Sequence, residues 1–213
     1  RFLTDMLATA DPWQSPGRDV TVVEVLDAAA ATVADRFAAD PAVEIALRDA
    51  LGSSYESLGR YEEADVQLAR VLALSRTLNG EHDVQTLNAA SFLALVRDHE
   101  GRTAEAESLA TWAHEGFRRH HDSDHPDALS AANNLAIVWT SQGRYEEATT
   151  LMRETLERGR LILGEQDATT LRHAANLGSM LTHLGRLDEA APYYAEALAG
   201  QEARHGDRHP AVL

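Results

Sequence analysis

The chain of 213 residues carries 34 acidic and 19 basic side chains, a formal net charge of −15, and no cysteine. The acidic balance argues against nucleic acid, which is held by a basic face. The missing cysteine removes disulfides, thiol catalysis and cysteine-ligated zinc together. Every one of the 19 basic residues is arginine, and the 37 alanines favour helix because alanine loses no side-chain entropy there. No apolar run approaches the roughly 18 residues that span a bilayer, and no signal peptide opens the sequence. The expected location is therefore cytoplasmic.

In chain order, Phe2, Leu3, Met6 and Leu7 form a short amphipathic turn or helix that Asp11-Pro12 ends, and Ser15-Pro16-Gly17 marks a loop. Thr21 with Glu24 is a capping-box pattern. It opens a helix to about Ala39 with Val22, Val25, Leu26, Ala29, Val33 and Phe37 on one face. Asp40 then caps a second helix that Pro41 begins. Residues 1–41 are expected to be N-terminal capping helices and linker.

From residue 42 the sequence repeats. Gly59-Arg60, Gly101-Arg102, Gly143-Arg144 and Gly185-Arg186 recur at steps of 42 residues. In register with them stand Glu63-Ala64, Glu105-Ala106, Glu147-Ala148 and Glu189-Ala190. So do Leu51, Leu93, Leu135 and Leu177, each followed by a glycine or alanine. The pattern predicts four units over residues 42–209, with residues 210–213 opening a truncated fifth. Each unit reads as two helices. In the third, residues 128–142 put Leu135, Ala136, Val138 and Trp139 on an apolar stripe, and Gly143-Arg144 is the turn. Residues 145–162 carry Ala148, Leu151, Met152, Thr155 and Leu156 inward, and Gly164 ends the helix. A pair of this kind cannot bury its apolar face alone, so successive pairs stack.

The words Asn133-Asn134-Leu135-Ala136, Gln142 to Ala148, Leu163 to Asp167 and Asp124 to Leu129 resemble the tetratricopeptide repeat of the kinesin-light-chain type. That resemblance implies an all-α, right-handed α-solenoid of antiparallel helix pairs that serves as a protein–protein interaction scaffold. "FLTDMLATADP", "GRDVTVVEVLDAAA" and "LRDALGSSYESLGRYEEA" resemble the stretch joining kinase to repeats in bacterial Ser/Thr protein kinases. What this implies is a kinase domain ahead of residue 1, often with a membrane segment between. The chain itself has no Gly-rich phosphate loop, H-R-D loop or D-F-G motif, so no enzyme is expected within it.

In stacks of this kind the first helix of each pair lines the concave face, opposite its core stripe. Spacing of 3–4 then selects Asn88, Phe92, Leu95 and His99 in the second unit. It selects Ser130, Asn134, Ile137 and Ser141 in the third, and Arg172, Asn176, Ser179 and His183 in the fourth. The expected peptide-binding groove comprises Asn88, Phe92, Asn134, Ile137, Arg172, Asn176 and His183. Asparagine amides donate and accept, and can pair with a peptide backbone without reading its side chains. By resemblance, Asn134 and Asn176 fall where such grooves place backbone-reading asparagines, and Arg172 where they place a cation for a carboxylate. The alternatives are that these are solvated helix residues, or that Asn134 bonds an adjacent helix.

His120, His121, Asp122, Asp124 and His125 gather metal-capable groups, but a linker seldom gives zinc its fixed geometry, so no metal or cofactor is expected. Glu62-Glu63 and Glu146-Glu147 read as helix-start carboxylates. The leading expectation is a scaffold that binds a peptide or protein segment, as the regulatory or recruitment region of a kinase. The alternatives are a ligand- or peptide-signal-sensing module of a bacterial regulator, and a self-assembly element pairing through exposed repeat ends.

Overall fold

The computed structural model describes residues 21–121 and 124–205. The expectations for Phe2, Leu3, Met6, Leu7 and residues 210–213 lie outside them. Nine helices occur among the described residues: α1 Val22–Arg36, α2 Pro41–Ser57, α3 Tyr61–Asn79, α4 Val84–His99, α5 Thr103–His120, α6 Pro126–Ser141, α7 Tyr145–Ile162, α8 Ala168–His183 and α9 Leu187–His205. The expected capping box at Thr21 and Glu24 is present, and Asp40 accepts from the Val43 amide at 3.3 Å. The protein is all-α, as the repeat pattern requires.

The Gly-Arg dipeptide builds each turn. The glycines lie in the left-handed region, at φ 70° for Gly59, 76° for Gly101, 77° for Gly143 and 71° for Gly185. Each glycine amide reaches back three residues and each arginine amide five, as in Gly143 to Thr140 at 3.0 Å and Arg144 to Trp139 at 2.9 Å. This is a Schellman motif, which satisfies carbonyls that the ending helix leaves open. The same arginine carbonyl then accepts the first bond of the next helix, from the alanine four residues on. Its guanidinium grips the glutamate three residues on. Arg102, Arg144 and Arg186 do so through two bonds each, to Glu105, Glu147 and Glu189, and Arg60 pairs with Glu63. Hydrogen bonds from these arginines hold all four carboxyls below their ordinary value. The helix-start glutamates are thus partners of the turn arginine as well as neighbours of the helix dipole.

The described residues form two compact units, divided at Ala89/Ala90 within α4. In the first, Ala29 and Val33 of α1 are buried with Ile45, Leu51 and Tyr55 of α2 and Ala64, Leu68, Val71 and Leu72 of α3. A Cβ on Gly52 would stand 2.7 Å from Leu68 Cγ, so glycine here permits the close approach of α2 and α3. The Tyr55 hydroxyl donates to Asp27 at 2.7 Å and ties α2 to α1. Buried Glu44 accepts from Arg48 at 2.8 Å and from Arg70 at 3.2 Å, while Arg48 also donates to Gln67 at 2.6 Å. Burial alone pushes the Glu44 carboxyl up, but the two guanidinium partners outweigh it and hold it low.

The second unit has two layers. Its core joins Ala94, Ala106, Ala110, Leu135 and Val138 on one side and Ala136, Met152, Leu156, Ala174, Leu177 and Leu181 on the other. Leu151, expected inward, is half-buried and packs at the edge of both clusters. In the layer of second helices, arginines bridge successive repeats: Arg144 pairs with Glu107, Arg153 with Glu189 at 2.9 Å, and Arg160 with Glu196. In the layer of first helices the ties are side-chain amides and hydroxyls, with one carboxylate acceptor, Asp98, described below.

His173 is wholly buried in α8 beside Gly159, and neither ring nitrogen meets a hydrogen-bond partner among the described residues. Burial, aided by the charge of Arg172, pushes its pKa down to about 4. Above pH about 6.5 the ring is neutral folded and unfolded. Between there and pH 4 only the unfolded chain takes the proton, so stability falls as pH falls. The expected loss is about 3 kcal/mol over that window, levelling off below it. Urea unfolding of wild type and His173→Leu from pH 7 to 4 checks this, because the difference between them should carry that slope. A Gly143→Ala chain should lose about 1–2 kcal/mol at the left-handed turn. By contrast, Gly159→Ala adds a Cβ at ordinary contact distance, 3.4 Å from Thr170 Oγ1, and should gain up to about 1 kcal/mol of helix propensity. Thermal melts of the two variants separate turn from helix interior.

Candidate functional site

The first helices of the second unit are joined by a row of polar side chains. Asn176 Nδ2 donates to Asn133 Oδ1 at 2.7 Å, and Asn133 Nδ2 to Asn134 Oδ1 at 3.1 Å. Asn134 Nδ2 then donates to Ser91 Oγ at 3.0 Å. Ser141 Oγ donates to Asp98 Oδ1 at 2.6 Å, one repeat back along the same layer. Three of these bonds join residues 43 apart in sequence, one more than the period. Successive first helices are therefore offset by one residue at the contact.

Asn134 bonds the adjacent first helix, with its Oδ1 and one amide hydrogen both engaged. Asn176 is used on one side only. Its Nδ2 reaches Asn133, while its Oδ1 has no partner among the described residues. Arg172, one turn earlier on α8, is exposed and has no carboxylate partner among the described residues. A polar acceptor and a free cation thus stand at i and i+4 on one helix face. Ile137 is half-buried and packs against the core, so it offers an edge rather than a full apolar surface. His183 is exposed, and its ring stacks on Tyr145 with centroids 4.9 Å apart and planes at 3°. Phe92 is half-buried at the start of this unit, and Asn88, also half-buried, belongs to the first unit.

Two members of the row, Asn133 and Ser91, are not selected by the 3–4 spacing of the groove stripe. Both are buried, at 3% exposure each. The signal that finds them is the register: a buried polar residue two positions before the core leucine of one repeat, with a donor 43 residues later.

The histidine-rich linker is engaged in packing and capping. His125 stacks on Phe117 at 6.3 Å, and its Nδ1 accepts from the Asp127 amide at 3.2 Å to cap α6. His121 tilts against Phe117 at 5.5 Å, and Asp124 pairs with Arg158. Asp122 lies outside the described residues. No group of three metal-capable side chains converges among the described residues. None of the described helices is long and apolar enough to cross a membrane.

Solved structures of similar fold are repeat proteins. BtubC (BKLC) from P. vanneervenii superposes with a TM-score of 0.72 at 22% identity, over 89% of this chain and 78% of that one. A single-substitution variant of a Podosopora anserina kinesin-light-chain-type protein of nearly identical TPR-like repeats gives 0.67 at 21% identity, over 95% of each chain. Rap protein, complexed with Competence and Sporulation Factor, gives 0.69 at 16% identity over 95% of this chain and 52% of Rap. No curated protein matches the sequence. The tetratricopeptide-repeat profile matches residues 43–119 and 127–203, most of the sequence. The chain belongs to the tetratricopeptide-repeat family.

Proposed function

We propose that the chain is a peptide-binding interaction module whose second unit holds an extended segment along α6 and α8. The observation that carries this reading is the half-used Asn176 amide beside the unpaired Arg172. Asn176 Oδ1 accepts a backbone N–H from the peptide, and Arg172 takes a carboxylate from it. Asn134 positions Asn176 through Asn133 and presents its remaining amide hydrogen. Phe92 and Ile137 give shallow apolar contact, and the His183 ring, backed by Tyr145, closes one end. Asn88 is assigned the same backbone-reading role within its own unit. Tetratricopeptide-repeat proteins are generally binding scaffolds rather than catalysts, which agrees with this reading. The finer assignment, the regulatory region of a bacterial Ser/Thr protein kinase with residues 42–209 as four working repeats, is supported by the sequence resemblance of its first 64 residues.

Peptides selected from a random displayed library on the wild-type chain test the site. Asn176→Ala and Arg172→Ala should each weaken the selected peptides by about tenfold while leaving the melting temperature within a few degrees. Selected peptides that bind both variants as tightly as wild type would remove these residues from the site. If acidic short peptides dominate the selection with no protein partner needed, the signal-sensing reading gains over the scaffold.

A further inference from the structure

The two junctions between second helices of the second unit are not alike. Between α7 and α9, Arg160 closes onto Glu196 and the charges meet directly. The residues in the same register one repeat earlier are Arg118 on α5 and Glu154 on α7. Neither has an ion-pair partner among the described residues, and both line a pocket of about 140 Å³ between their helices. Its apolar lining includes half-buried Leu151, with Phe117 and Leu129 buried behind it.

Sequence explains why the pocket exists. Position 114 holds histidine where the other repeats have Leu72, Leu156 and Leu198. Leu72 and Leu156 are core residues, whereas His114 is only half-buried and its ring lines the pocket wall. Position 110 holds alanine where the others have Leu68, Met152 and Tyr194, which further thins α5. Desolvation and the nearby Arg118 charge push the His114 pKa down, so near neutral pH it adds no charge of its own. Arg158 also lines the pocket, but its guanidinium is taken by Asp124. What is left is a cavity of mixed polar and apolar lining with one open cation and one open anion, both exposed, on facing helices.

We propose that this pocket binds a free apolar α-amino acid. The carboxylate pairs with Arg118, the ammonium with Glu154, and the side chain rests on Phe117, Leu129 and Leu151. A ligand carrying both charges completes the ion pair that the α7–α9 junction makes by itself. A cavity of this size accommodates a benzene-sized group, as engineered apolar cavities of about 150 Å³ do. The site is separate from the α6/α8 row, and the proposal does not depend on the peptide reading.

Titration of the full chain with L-phenylalanine and L-leucine, followed by amide chemical shifts of residues 110–160, tests it. Saturable binding is expected, at least about tenfold weaker for N-acetyl-L-phenylalanine and for L-phenylalaninamide, each of which lacks one charge. Arg118→Gln should abolish binding. His114→Leu restores the residue usual at that register, should keep the fold, and should also abolish binding by filling the cavity. No saturable binding to the folded wild type up to about 10 mM would overturn the proposal. So would equal binding of either blocked derivative, or wild-type affinity in a folded Arg118→Gln or His114→Leu chain.

Discussion

A glycine held at positive φ and followed by arginine is the constraint on which each helix pair depends. The two residues close the carbonyl end of one helix, open the amide end of the next, and supply a guanidinium for the glutamate in its first turn. An exposed arginine–glutamate pair is worth only about 0–1 kcal/mol, so the ion pair is the smaller part of the device. The backbone geometry is the larger part, because it sets the direction of the second helix and hence which faces meet. Repeating that angle at a fixed spacing brings Leu135 and Ala136 of one repeat into the clusters shared with Ala94 and with Leu177.

The two layers of the second unit are joined by different chemistry. Arginine–carboxylate pairs lie among the second helices, at side chains that are mostly a quarter to a half exposed, where water screens them and salt weakens them further. The asparagine and serine row lies among the first helices, where Asn133 and Ser91 are buried and each bond avoids a desolvated, unpaired amide or hydroxyl. The amide part of the row is neutral, and Arg172 beside it is exposed with no carboxylate partner among the described residues.

Much of this was legible in the sequence because helix pairs obey a strict spacing. The boundaries of α7, the turn at Gly143-Arg144, the cap at Asp40-Pro41 and the Thr21 box all follow from local rules, and all are present. The groove stripe was legible as a set of positions, since 3–4 spacing fixes which side chains share a face. Which of them stay open to a partner was not. Asn134 and Asn176 occupy the same register, yet the Asn134 Oδ1 accepts from Asn133 whereas the Asn176 Oδ1 meets no partner among the described residues, because the position before it holds Ala175. Likewise, His114 marks a departure from the leucine pattern, but that a cavity lies beside it, lined by Arg118 and Glu154, shows only in the structure.

The one-residue offset between successive first helices has a consequence for how such an array could change over time. The third and fourth repeats carry donors, Asn134 and Asn176, and the second and third carry the acceptors they reach, Ser91 and Asn133. The acceptor position reads Ser91, Asn133 and then Ala175, so the fourth repeat can receive a bond partner only through side chains outside that position. Copying the third repeat in tandem would extend the amide row, whereas copying the fourth would interrupt it at alanine. The repeats therefore share a fold but not a rank. Their order along the chain is written into the contacts, and a shuffled array of the same four sequences would be a different protein.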